Sequence, residues 1–118
     1  SKRENKIMIA LWNSSVPLSA SALKKNLDED VSIYTIQQVL QKLLKKDYIK
    51  VDRIVQHEKA LMREYVPVIS QVEYITSFVN QKTSFELASN FIKETDNLDA
   101  IIELEKLINI KLKEKGIK

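Results

Sequence analysis

The sequence contains no cysteine, one glycine, two prolines and one histidine in 118 residues. Each scarcity removes a kind of chemistry. Without thiols there is no disulfide, no cysteine nucleophile and no Cys or Cys/His zinc site. Glycine-rich phosphate loops and dinucleotide fingerprints need glycines where backbone approaches phosphate, and Gly116, near the C-terminus, is the only one. Ser/His/Asp catalysis could draw only on His57. A lone imidazole without thiol or carboxylate company makes no metal site either, so His57 reads as an exposed loop residue. Acid/base work would fall to scattered surface carboxylates, so an enzyme is the least favoured class, and neither a cofactor nor a metal is expected.

Long apolar runs are missing too. No stretch approaches the ~18 residues of a membrane span, and Ser1-Lys2-Arg3-Glu4 is not followed by the apolar core of a signal peptide. The expectation is a cytoplasmic chain without membrane insertion, and the absent initiator Met reads as a trimmed start. What is present is a globular balance, 44% apolar and 30% charged, which suits one compact domain or two small lobes. Charge is uneven along the chain. Residues 1–69 carry 12 Lys/Arg against 8 Asp/Glu, whereas residues 70–118 carry 7 against 8. The basic first half permits binding to a polyanion without demanding it.

Helical spacing opens the chain. Ile7, Met8, Leu11 and Trp12 share one face of a first helix over Arg3–Trp12, and the stretch from Asn13 to Leu18 breaks it. Ser19 is placed to cap a second helix from Ala20 to Asn26 or Leu27, and Ser32 to cap a third. In the third helix Ile36, Val39, Leu40 and Leu43 form the inward stripe, while Tyr34, Thr35, Gln37, Gln38, Gln41 and Lys42 face outward. Two β-prone stretches follow, Tyr48–Val55 and Leu61–Val68, separated by Gln56–Ala60, and read as one hairpin. Trp12 and the phenylalanines read as core.

After Pro67 the pattern is helical to the end. Val72, Ile75, Phe78 and Val79 mark one segment, Phe85, Ala88, Phe91 and Ile92 a second, and Asn97 caps a third from Leu98 to about Lys115. Eight of the fifteen residues from Leu98 to Leu112 are large and apolar. They sweep well beyond the ~100°-wide stripe that packs one helix on one core. A second copy of the same helix is the simplest cover, which makes Phe78, Phe91, Leu98, Ile101, Ile102, Leu104, Ile108 and Leu112 candidate homodimer residues.

Three short helices and a hairpin are the winged helix-turn-helix plan, in which the third helix enters the DNA major groove and the wing lies on backbone. The expected fold is mainly α: a winged helix over residues 1–70, then a three-helix dimerisation lobe over 71–118. Ser32, Tyr34, Thr35, Gln37, Gln38 and Gln41 are the candidate base or phosphate contacts. Lys42, Lys45, Lys46, Arg53, Lys59 and Arg63 are candidate backbone contacts. The alternative is a winged-helix protein-interaction module without sequence-specific DNA binding, since the fold is reused for such work.

Five patches in order carry a resemblance. Ile7-Met8 with Leu11-Trp12, Ser32 to Ile36, Leu43-Leu44-Lys45-Lys46-Asp47-Tyr48-Ile49, Tyr65-Val66-Pro67, and Leu87 to Ile92 with Asp99 to Leu107 resemble the BlaI/MecI/CopY family of winged-helix repressors. Asp47 stands where the family has Gly, the wing is about five residues longer, and its usual Gly-Arg tip is missing. Gln37, Gln38 and Gln41 occupy a face where relatives often carry an Arg, which points to a different operator. The resemblance implies a homodimeric repressor on a palindromic double-stranded operator. It also implies, in the penicillinase-repressor branch that serves β-lactam resistance, cleavage at Asn90-Phe91 by a membrane sensor protease. The copper-sensing branch carries a cysteine motif that this chain lacks.

Overall fold

A computed structural model describes residues 2–117. The element order is α1 (Lys2–Asn13), β1 (Leu18–Ser19), α2 (Ala20–Asn26), α3 (Ile33–Lys45), β2 (Ile49–His57), β3 (Ala60–Pro67), α4 (Gln71–Thr76), α5 (Gln81–Glu94) and α6 (Leu98–Glu114). The mainly helical winged-helix fold read from the sequence is what forms. The chain divides into two compact units, Ser1–Ser77 and Phe78–Lys118.

In the first unit the apolar periodicities meet in one core. Ile7, Met8 and Leu11 of α1, Leu23 of α2, and Ile36, Leu40 and Leu43 of α3 are buried together. Burying each such side chain contributes about 1.5–3 kcal/mol. Ser32 caps α3, its hydroxyl accepting from Thr35 N at 3.1 Å. At the other end Asp47 takes φ +59, and Tyr48 N donates to Leu43 O while Asp47 N donates to Leu44 O. This is the Schellman arrangement that usually employs glycine, and Asp tolerates it.

The sheet departs from the expected single hairpin by one strand. Leu18 and Ser19 pair with Tyr65 and Glu64, which gives the order β1-β3-β2. Two residues are too few for an alternating pattern to show. Ser19 does double duty, because its side chain also accepts from Ala22 N and caps α2. The hairpin is longer than the strand signals suggested, with His57 opposite Ala60 and only Glu58-Lys59 in the turn. Glu58 adopts φ +56 there, without the Gly or Asn that announces such a turn.

Ser70 and Glu73 form a reciprocal capping box at the start of α4. This helix then buries Tyr74, whereas Val72 and Ile75, the apolar residues that mark the segment in the sequence, are exposed. The Tyr74 ring meets Trp12 and Tyr48 edge to face, at 5.3 and 5.6 Å between centroids. Trp12 Nε1 donates to Ile69 O at 3.0 Å.

The second unit is two helices joined by Thr95-Asp96-Asn97. Asn80 caps α5 and Asn97 caps α6 through their side-chain oxygens. Neither helix holds a buried residue. Phe78, Phe85 and Phe91, read as core from composition, are exposed in the single chain, as are Leu98, Ile102 and Ile108. Ile101, Leu104 and Leu112 are half-buried. Among the described residues no helix is long and apolar enough to cross a membrane, and no three His, Cys, Asp or Glu side chains cluster as a metal site would need.

Candidate nucleic-acid interface

The inward stripe of α3 fixes what its other side presents. With Ile36, Val39, Leu40 and Leu43 buried, Tyr34, Gln37, Gln38, Gln41, Lys42 and Lys45 point to solvent. Gln37, Gln38 and Gln41 line a groove of about 490 Å³ with Ser19 and Ser21 at the start of α2 and Leu61, Met62, Arg63 and Tyr65 of β3. Among the described residues no carboxylate lines it, and Arg63 is its one charge. Primary amides and a guanidinium offer both donors and acceptors, the chemistry that reads base edges and phosphates.

The wing's two faces differ because of a bulge. Val51 pairs with Tyr65 and Arg53 with Glu64, so Asp52 is the additional residue. In an unbulged ladder Arg53 would stand opposite Arg63. The bulge instead sets Arg53 against Glu64, where Nε donates at 2.5 Å, and puts Ile54 opposite Arg63. That hydrogen bond and the Glu64 charge hold the Arg53 guanidinium above its ordinary pKa. Because side chains alternate along a strand, Arg63 shares the α3-facing side with Tyr65, whereas Arg53 lies on the other. Lys59 is exposed in the turn.

Other expected contacts have structural work as well. The Ser32 hydroxyl is engaged in the cap and lies 3.0 Å from the half-buried Thr35 hydroxyl. Lys46 donates to both carboxylate oxygens of Glu4, at 3.1 and 3.3 Å. Burial pushes the Glu4 carboxyl up, but the Lys46 hydrogen bond and charge help bring it below the usual carboxylate range. Lys46 is raised in turn, through the hydrogen bond to Glu4. The structure thus gathers Gln37, Gln38, Gln41 and Arg63, leaves Tyr34, Lys42, Lys45 and Lys59 exposed, and ties Lys46 and Arg53 to carboxylates. Ser21, Leu61 and Met62 carry no signal in the sequence, and Ser19 signals only its helix cap. Their place in the groove follows from strand register and the β1–β3 pairing, which no local pattern carries.

Three helices, a bulged wing and an outward polar α3 define a winged helix-turn-helix protein. Residues 1–109 match the penicillinase repressor family, and the chain belongs to it, a family of DNA-binding transcriptional repressors. The chain is also similar to Streptococcus pneumoniae FabT, solved in complex with DNA, at 15% identity and a TM-score of 0.42, over 99% of this chain and 76% of that one. No curated protein matches it in sequence.

Proposed function

We propose that the chain is a homodimeric repressor that reads two inverted half-sites, with α3 in the major groove and the wing on the adjacent strand. The supporting observation is the groove in which Gln37, Gln38, Gln41 and Arg63 meet with no carboxylate among the described residues that line it. Tyr34, Lys42, Lys45 and Lys59 extend the contact to phosphates, and the backbone at the capped start of α3, with Ser32 and Thr35, borders it. Lys46 and Arg53 are paired with Glu4 and Glu64, and their side chains, 48% and 60% exposed, keep further N–H donors for phosphates. Retention on operator DNA tests this. Gln38→Ala with Lys42→Ala removes one base contact and one phosphate contact and weakens binding by roughly 100-fold, taking the ~1–3 kcal/mol of a specific base contact with a lost phosphate. Unchanged DNA retention together with loss of a protein complex would instead favour the interaction-module reading.

The division of labour follows the two units. The second unit has two helices without a buried residue, and so small a body needs a partner to hold apolar surface from water. A second copy of α5 and α6, joined through Phe78, Phe91, Leu98, Ile101, Ile102, Leu104, Ile108 and Leu112, supplies it.

Induction acts on the same surface. Asn90 and Phe91 lie on α5, one turn from its end, where Thr95 N still donates to Phe91 O. A protease that needs extended backbone requires that turn to open. The cut would part Phe91 and all of α6 from the DNA-binding unit, abolishing the dimer, in a cytoplasmic β-lactam-resistance circuit driven by a membrane sensor protease. A chain ending at Asn90 sediments as a monomer on this reading. A stable dimer of that truncation would contradict it.

A further inference from the structure

The α3-facing side of the wing carries an apolar pair that a solvated hairpin does not need. Gln56 stands opposite Leu61 and Ile54 opposite Arg63. Alternation puts Leu61 and Arg63 on the side of buried Tyr65, and the bulge at Asp52 brings Ile54 and Gln56 to the same side. Leu61 is 74% and Ile54 57% exposed, and they are diagonal neighbours on that face. Leu61 also lines the groove with Gln37, Gln38, Gln41 and Arg63, so its uncovered surface opens where the glutamines point.

We infer that Leu61 is a specificity-determining residue that packs on the C5-methyl of a thymine beside the bases met by Gln38 and Gln41. The inference rests on the DNA-binding reading above and adds to it. In the major groove the thymine methyl is the apolar group that a base edge displays, so a leucine there has one match. Glutamine bridges adenine N6 and N7, which selects A·T pairs and places thymines in the same half-site. Charge argues for nucleic acid as the occupant: Arg63 shares the groove with Leu61, and among the described residues no carboxylate lines it. Ile54 flanks the contact and excludes water from it.

The test uses the full chain and the half-site recovered by selection from a random DNA pool. Each thymine is replaced singly by deoxyuridine, which deletes only the methyl, and affinity is measured for the wild type, Leu61→Ser and Leu61→Val. At one position the wild type loses about three- to fivefold, the scale of one buried methyl-sized group. Leu61→Ser binds the thymine site weaker by a similar factor and is indifferent to deoxyuridine there, while Leu61→Val keeps part of the difference. The same deoxyuridine profile in wild type and Leu61→Ser overturns the inference, as does a change in sedimentation mass with DNA binding unaltered, which would make the patch a contact between copies. If the wild type enriches no sequence at all, the DNA-binding reading fails first. Leu61 is exposed, and matching thermal unfolding of the variants confirms an intact fold.

Discussion

Glu4 on α1 and Lys46, just past the end of α3, form an ion pair at 3.1 Å across 42 residues of sequence, with the Glu4 side chain only 8% exposed. The pair ties the opening helix to the end of α3, the helix proposed to meet DNA. Lys46→Met strands the carboxylate, and because Lys46 is half exposed the loss is about 1–2 kcal/mol at pH 7 rather than the larger figure for a fully buried pair. The pH dependence has a definite sign. The Glu4 pKa is depressed on folding, so its stabilisation is present above the ordinary carboxylate value near 4.5 and is lost as pH falls through the folded value. Lys46 is raised above its ordinary 10.5, so its share is complete below that pH and is lost on raising pH through the folded value. Urea unfolding at pH 7 and pH 3 checks this: the gap between wild type and Lys46→Met narrows in acid. A gap independent of pH would show that the pair does not stabilise through charge.

The reading of α3 from sequence holds because its signals are local: a Ser cap, a four-residue apolar stripe and an Asp at the left-handed exit. Asp47→Gly removes the strain of a β-carbon at φ +59 and stabilises the first unit by about 0.5–1 kcal/mol in denaturant melts. Destabilisation by that change would mean that the Asp side chain makes a contact worth more than the strain.

Tyr74 shows where sequence reasoning stops. Its helix offers Val72 and Ile75 as the apolar pair, yet Tyr74 is buried between Trp12 and Tyr48. Partners at such sequence separation leave no periodic trace. The same holds for β1, for the groove position of Leu61, and for Lys46, whose charge reads from sequence as a DNA contact but meets a carboxylate on another helix. Tyr74→Ala deletes the ring that joins the other two and costs about 3–5 kcal/mol, with loss of near-ultraviolet circular dichroism. A cost under about 1 kcal/mol would place the ring outside the cooperative core.

The second unit is legible as helices, α6 from its Asn97 cap onward, and as excess, with more apolar residues around α6 than one small lobe needs. Ile102→Glu with Ile108→Glu puts carboxylates on that surface. Analytical ultracentrifugation then reports a monomer, and operator affinity falls at least ~100-fold because the two half-sites no longer act at one effective concentration. Dimers that persist with unchanged operator affinity would assign the apolar surface to something other than self-association.

Selection of bound DNA from a random pool, repeated at two salt concentrations, reads binding, symmetry and spacing together. A homodimeric reader enriches paired inverted half-sites about one helical turn or a small multiple apart. Its affinity falls by roughly 10³ or more between about 50 and 200 mM salt if six or more phosphates are contacted. A pool that enriches no sequence, or binding indifferent to salt, would contradict the repressor reading.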